Sequence, residues 1–383
     1  MLSQSKNPFA STATAAYRLP KSLLEQLQTP ALVVYLDRVR DNIRSMIGYA
    51  GSPDRWRPHL KTTKIPEVWG ELLQAGVRHF KCATTREADV FVTLASSREQ
   101  QTDLLVAYPL RGPALQRLGA IAKNAKNTTV SVLVEDPDLV ADLPDGIGVF
   151  VDVNPGMNRT GIPMDDEAAV LAVVLAVGDR FRGLHFYDGH LHDEDLAARR
   201  IAIFAGYQRL LQLVDLLAAE GIATPEVITS GTPAFHHALH FEAFASSEAF
   251  VHRISPGTVV FHDGRSQFDN PEVELQPAAL VLSRVVSHPA ADIVTCDAGS
   301  KSVAAEAGDP CAFVLGNDAL GALQPSEEHL PLRCSAALPP RGTHLLLVPR
   351  HVCPTVNLAE QCVLMDGDSP PRIVPVVARA HEL

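Results

Sequence analysis

The sequence predicts an α/β protein, a (β/α)8 TIM-type barrel followed by a C-terminal β-domain, and three observations predict it. From about residue 31 to residue 230 a short β-rich run, a turn and a helical pattern recur eight times. No Gly-x-Gly-x-x-Gly follows the first run, as it would in a doubly wound dinucleotide-binding sheet. After Gly257 the helical patterns stop, and short β-rich runs punctuated by proline and glycine take over.

Taken in order, residues 1–28 are small and polar, with a short helical pattern over Lys21–Gln28. The eight β-rich runs are Ala31–Leu36, Arg55–Leu60, His79–Ala83, Leu104–Tyr108, Thr129–Val134, Gly148–Val153, Gly183–Tyr187 and Glu226–Ser230. Between them lie helical stretches at Asp37–Ala50, Pro66–Ala75, Arg86–Ala95, Gly112–Asn124, Asp165–Gly178 and Asp195–Glu220. Asp37 is placed to cap one start, and Gly76 and Gly221 to close two ends. The helix near Asp136–Leu143 is short and interrupted by prolines, so this is the weakest unit. The β-domain runs are Ala278–Val286, Ala312–Leu315, His344–Val348, Gln361–Met365 and Ile373–Val377. The expected domains are therefore 25–257 and 258–383, the second completed by residues 1–24.

Composition narrows the function classes. A chain of 383 residues exceeds one compact core. Its net charge of −11, with no basic stretch, argues against a nucleic-acid or anionic-membrane partner. Residues 1–20 lack an apolar targeting core, and no run reads as a membrane span of ~20 residues. Six cysteines without a CxxC pair point to a reducing, cytoplasmic compartment.

In a barrel of this type the carboxyl ends of the strands form the working face. Those ends carry His59, Lys61, Tyr108, Asn154 with Arg159 beyond it, Tyr187, Asp188, His190, His192 and Ser230-Gly231-Thr232. A lysine there loses its proton easily, because burial penalises the ammonium, and its neutral amine can attack an aldehyde cofactor. By itself Lys61 is more often an ordinary surface or salt-bridged lysine, but one lysine, two tyrosines, an arginine and two histidines on one rim are more chemistry than simple solvation needs. Ser230-Gly231-Thr232 and Ser255-Pro256-Gly257-Thr258 suit a phosphate cradle, though either is also an ordinary turn. His351-Val352-Cys353 follows a β-run. On an extended segment its imidazole and thiol share one side and can hold one cation, with zinc favoured, although a lone His-x-Cys is commonly coincidence.

Five segments together are more specific. They are Arg57-Pro58-His59-Leu60-Lys61-Thr62-Thr63-Lys64, His79-Phe80-Lys81-Cys82-Ala83-Thr84 with Glu87-Ala88, Asp297-Ala298-Gly299-Ser300-Lys301, Glu328-His329, and His351-Val352-Cys353-Pro354-Thr355-Val356-Asn357. In order and spacing they resemble the D-threonine aldolase and D-serine dehydratase family, fold-type III pyridoxal-phosphate enzymes with an alanine racemase-like barrel. The resemblance spans about residues 28–380.

It implies pyridoxal 5'-phosphate and a divalent metal (Zn or Mn, or Mg) as cofactors. It implies that Lys61 anchors the cofactor, that Arg159 and Tyr187 contact its ring, and that Ser230, Gly231, Thr232, Gly257 and Thr258 contact its phosphate. We count His59, two residues before Lys61, with the cofactor site. His351 and Cys353 match the metal ligands, and either His190 or His192 matches the aldolase base. The metal would lie beside the cofactor and bind a substrate β-hydroxyl. The implied substrate is a small D-configured amino acid, and the implied assembly a homodimer with one subunit's β-domain facing its partner's barrel.

Two departures bear on the reaction. Thr63 stands where many members have histidine. Cys353 stands where aldolases often have aspartate and dehydratases often have cysteine. The segment Tyr187 to His192 is closer to the aldolases. Retro-aldol cleavage is thus favoured by a small margin over β-elimination to a keto acid and ammonia. A tyrosine-based racemase is disfavoured, since the β-domain contains no tyrosine. A non-catalytic cofactor carrier would not need the C-terminal domain.

Overall fold

The structure, a computed structural model, describes residues 6–192 and 195–382. It contains two compact units. One takes the chain up to Ile43 with Thr62–Val68 and Thr258–Arg379, and the other takes Arg44–Lys61, Trp69–Gly257 and the residues from Ala380.

The second unit is built on seven parallel strands paired in sequence. They are His79–Cys82, Thr102–Val106, Thr128–Val134, Gly148–Asn154, Phe181–Phe186, Glu226–Thr229 and Val251–Ile254. The segment 56–59 supplies the eighth position. It is joined by single bridges, Trp56 to Ile254 on one side and His59 to Lys81 on the other.

Two of the eight expected strands are therefore corrected. Ala31–Tyr35 is not in the ring; it runs antiparallel to Ala279–Ala290 and parallel to Gln361–Met365 in the other unit. An all-apolar run suits a central strand of either sheet, because both burials demand it. The last ring strand is instead Val251–Ile254. The run at 55–60 is not a regular strand either, because short 3-10 turns at Pro53–Arg55 and Leu60–Thr62 bracket it.

Inside the ring, residues two apart along each strand stack in layers. At the amino end Arg57 is fully buried and ion-paired with Asp103 and Glu226 at 2.7 and 2.8 Å. Arg253 and Arg182 complete that plug through Glu226 and Asp103. Above it Leu105, Leu133, Phe150 and Ile228 form an apolar layer. Arg57 also lies 5.4 Å from the centre of the Phe150 ring, a cation–π contact between plug and apolar layer.

The helices form where expected, and local chemistry explains their ends. Thr84 accepts from the Glu87 amide while the Glu87 carboxylate accepts from Ala83, a variant of the capping box. Gly76 and Gly221 close their helices with positive φ of 91° and 73°. The weak fifth unit is a 3-10 stretch, Pro137–Asp142. Leu196–Ala219, at 24 residues, is long and apolar enough by length and composition to cross a membrane, which the sequence reading did not anticipate. Within its own unit it buries one stripe, Arg199, Ile203, Tyr207, Leu210, Leu213, Val214 and Leu217, while the apolar Leu196 and Ile201 stay exposed.

The first unit is a nine-stranded mixed sheet. Its strands at Ile293–Cys296, Leu320–Ala322 and Leu330–Cys334 escaped sequence reading; the first two are short, and Pro331 and Arg333 interrupt the apolar pattern of the third. Phe9 and Tyr17 pack into its core with Val33, Leu280 and Phe313, so described residues before position 24 belong to this unit.

Candidate active site

Lys61 sits in the 3-10 turn Leu60–Thr62 that ends the eighth ring position. It lines a cavity of about 280 Å³ together with His59, Lys81, Tyr108, Arg159, His185 and Tyr187. The His59 ring accepts a hydrogen bond from the Lys61 backbone amide at 3.3 Å, which fixes the turn. The Arg159 guanidinium stacks 4.6 Å from the centre of the Tyr187 ring. Arg159 is delivered by a loop organised around Asn154, whose side-chain oxygen accepts from the amides of Gly156 and Asn158, both at 3.0 Å. Lys61, His59, Arg159 and Tyr187, named from the sequence, thus meet in one cavity.

The Ser230 turn follows the strand Glu226–Thr229. Ser230 has a positive φ of 56°, unusual for a side chain, and its buried hydroxyl lacks a well-formed hydrogen bond, with only a weak influence from Tyr207. A Cβ at Gly231 would lie 2.6 Å from the Tyr187 ring, and one at Gly257 would lie 2.3 Å from the His59 carbonyl oxygen. Both positions therefore need glycine for close approach. Asp188 lies behind this turn and accepts from the Tyr207 hydroxyl at 2.6 Å. Burial raises its carboxyl to about 6, against the opposing pull of Tyr207 and the Gly231 amide.

His190 lies with its Nε2 near Gly156, and its imidazole is held below its usual pKa, first by desolvation and then by His192. It is half-buried, whereas His192 is exposed.

Sequence reading missed Lys81. Its amine is fully buried, bonded to Ser255 Oγ at 2.6 Å and to His185 Nε2 at 3.2 Å. Burial, then the charges of Lys61 and Arg159, hold it well below the ordinary lysine value. The full enclosure expected of Lys61 belongs to Lys81, because Lys61 is half-buried. A lysine within the strand His79–Cys82 is either enclosed or at an edge, and residue type alone does not say which.

In the other unit, His351 and Cys353 come together, but not on an extended segment. His351 precedes the helix Val352–Leu358, and Cys353 lies in its first turn. The helix starts there because the Asp263 carboxylate accepts from the Val352 amide at 2.8 Å. His351 Nδ1 meets Glu306 Oε1 at 2.5 Å, and Thr62 and Thr258 hydroxyls lie 3.1 and 3.4 Å from the Cys353 sulfur. Desolvation lowers the His351 pKa, but the Cys353 sulfur, Asp263 and Glu306 together raise it to about 9. Among the described residues no group of three or more His, Cys, Asp or Glu side chains forms a metal cluster. Thr258 opens the turn Thr258–Val260 of this unit, directly after Gly257.

Known proteins resemble this chain in sequence and in fold. Residues 34–262 match the family model for the alanine racemase N-terminal domain, and residues 278–365 that for a putative serine dehydratase domain. The chain is 31% identical to a D-threonine aldolase from an Arthrobacter species over 368 residues, covering 91% of this chain and 92% of that protein. It is 29% identical to a 3-hydroxy-D-aspartate aldolase from Paracoccus denitrificans (strain Pd 1222), covering 94% of each. The crystal structure of D-threonine aldolase from Filomicrobium marinum matches with a TM-score of 0.81 at 26% identity, covering 92% of this chain and 96% of that one. With the fold and these matches in agreement, the chain belongs to the D-threonine aldolase and D-serine dehydratase-like family of fold-type III pyridoxal-phosphate enzymes.

Proposed function

We propose that this protein is a pyridoxal-phosphate- and divalent-metal-dependent lyase of D-configured β-hydroxy amino acids, cleaving them by retro-aldol reaction to glycine and an aldehyde. The observation that carries the reading is the single cavity holding Lys61, Arg159 and Tyr187. The residues fit the cofactor. Lys61 supplies an amine for its aldehyde, Arg159 a cation for its ring oxygen, and Tyr187 an aromatic face. The Ser230 hydroxyl without a good partner and the bare Gly231 leave room and donors for its phosphate, with Thr232, Gly257 and Thr258 as further contacts. Bound there, the cofactor withdraws electrons from the substrate α-carbon, so that a bond to that carbon can break.

His351 and Cys353 fit a divalent ion. Glu306 holds the imidazole Nδ1, so Nε2 is the nitrogen that would ligate, and a thiolate beside an imidazole suits zinc, with manganese and magnesium as harder alternatives. Such an ion supplies Lewis acidity toward a substrate hydroxyl.

The proton-handling groups decide the outcome. His190 stays neutral to lower pH than an ordinary histidine, so it can accept the hydroxyl proton and release the Cα–Cβ bond. His192 is the other candidate for that role. If Lys61 instead takes the α-proton, hydroxide leaves and the product is a keto acid with ammonia. Cys353 in the ligand pair and the serine dehydratase-type domain favour this second reading.

Mass spectrometry of products from D-threonine and D-serine, with pyridoxal phosphate and metal present, tests both. Glycine with acetaldehyde is expected. A keto acid would move the assignment to the dehydratase, and no product from either would overturn the lyase reading. None of the six cysteines forms a disulfide, which supports a reducing, cytoplasmic setting. The working form is a homodimer, to be checked by sedimentation.

A further inference from the structure

The cavity holds one more cationic side chain than the reaction above uses. Lys81 is bonded at its Nζ to two partners whose own bonds fix their roles. Asp152 takes His185 Nδ1 at 2.7 Å and the Thr160 hydroxyl at 2.8 Å. We assign the imidazole proton to Nδ1 on that basis, which leaves Nε2 as an acceptor. Ser255 donates its hydroxyl to the Ser230 carbonyl at 2.9 Å, so its oxygen also accepts. Lys81 therefore spends two N–H bonds on His185 and Ser255, and its ammonium form keeps a third.

Pyridoxal phosphate carries four polar features: the aldehyde, the ring oxygen, the phosphate and the ring nitrogen. Lys61, Arg159 and the Ser230–Thr232 turn account for the first three. The ring nitrogen and the third N–H of Lys81 are what remain. A carboxylate partner would hold this nitrogen protonated, whereas a cationic donor leaves it unprotonated. No carboxylate lines the cavity among the described residues, and Asp152 is covered by His185 and Thr160. The Lys81 amine also stands 5.6 Å from the centre of the Tyr187 ring, the aromatic face assigned to the cofactor.

We propose that Lys81 donates its third N–H to the ring nitrogen of bound pyridoxal phosphate and keeps that nitrogen unprotonated. The inference rests on the cofactor reading above. Burial and the cations of Lys61 and Arg159, which press the Lys81 amine downward, press equally against a pyridinium. Of the two nitrogens competing for one proton, the alkyl amine is intrinsically the more basic, and the negative charge of the phosphate favours its ammonium form. An unprotonated ring withdraws electrons less strongly, and the lyase then depends more on its metal and base.

The test loads wild type and Lys81→Met with cofactor labelled with nitrogen-15 in the ring. In wild type the nitrogen resonance should be that of an unprotonated, hydrogen-bonded pyridine. In Lys81→Met it should move to that of a pyridine without a donor, and the cofactor dissociation constant should rise roughly 10- to 100-fold. Far-ultraviolet circular dichroism checks that the variant is folded. A pyridinium resonance in wild type overturns the proposal whatever the variant does, as does a resonance unchanged by Lys81→Met. A wild-type protein that takes up no labelled cofactor overturns the cofactor reading itself, and this inference with it.

Discussion

Arg57 grips Glu226 with two parallel hydrogen bonds, Nε to Oε1 and Nη2 to Oε2, both at 2.8 Å and both buried. This fork, with Asp103 as third member, fills the end of the ring opposite Lys61. Replacing Arg57 by methionine removes the buried cation that Glu226 and Asp103 share and leaves them only Arg253 and Arg182. We expect a loss of about 3–5 kcal/mol, read as a lower urea midpoint with unchanged slope. Burial works to raise the Asp103 carboxyl, but Arg57 and Arg182 hold it at about 2. Its contribution is therefore fully present above about pH 4 and is lost as pH falls toward 2.

Lys61 is expected to be the covalent anchor. Reduction of the cofactor-loaded protein with borohydride followed by peptide mapping should place the label on Lys61, and Lys61→Ala should lose the visible absorbance band without unfolding. Lys64 bonds the Ala378 carbonyl and Lys301 is exposed and paired with Glu327 and Glu328, so a label on either contradicts the site.

Handedness is a separate expectation. D-threonine or D-serine should react while the L-enantiomers do not, measured by chiral chromatography of residual substrate. Comparable turnover of both would remove the functional assignment and leave the fold untouched.

Metal binding is expected to depend on His351, Cys353 and Glu306. Chelator-treated protein should regain activity with zinc or manganese, and His351→Ala should not. Glu306→Gln should weaken zinc binding about 10- to 100-fold in a competition assay, because it loosens the orientation of His351. Cys353→Asp should shift preference from zinc toward manganese or magnesium. Unchanged zinc affinity in all three variants would return these residues to a purely structural role.

His252 is expected to sensitise the fold to acid. It is buried, stacks on Phe244 and bonds Thr229 at 2.8 Å. Desolvation above all, with Arg55 and Arg253, lowers its pKa to about 3. The unfolded chain takes up this proton near pH 6.5 and the folded one only near 3. Stability is thus complete above about 6.5 and falls between those limits, at up to about 1.4 kcal/mol per pH unit. Urea titrations at pH 7 and 5 should show a smaller pH effect in His252→Gln than in wild type.

The cavity was legible where residue type and position agree. Lys61, Arg159, Tyr187 and Ser230 stand at strand ends, and a barrel brings strand ends together. Lys81 was not, because a lysine within a short strand gives no hint of its two partners, His185 on one strand and Ser255 just beyond another. Val251–Ile254 was passed over for a related reason. His252 and Arg253 make it read as polar, and partners on other segments, Thr229, Glu226, Asp54 and His79, make their burial tolerable. Ala31–Tyr35 was read correctly as a strand and placed in the wrong sheet, since apolar runs do not name their neighbours.

The segment that carries Lys61 has few backbone bonds to its neighbours, with Arg57 bonded to Ile254 and Lys81 to Pro58. Its placement is instead locked by side chains: Trp56 donates to the Pro256 carbonyl at 2.9 Å, Arg57 forks onto Glu226, and Gly257 leaves the space that the His59 carbonyl fills. For anyone grafting this lysine pocket onto another scaffold, the portable part is therefore not a strand. It is a short peg together with the three sockets that receive it, and a transplant lacking any socket would deliver the lysine to the wrong place.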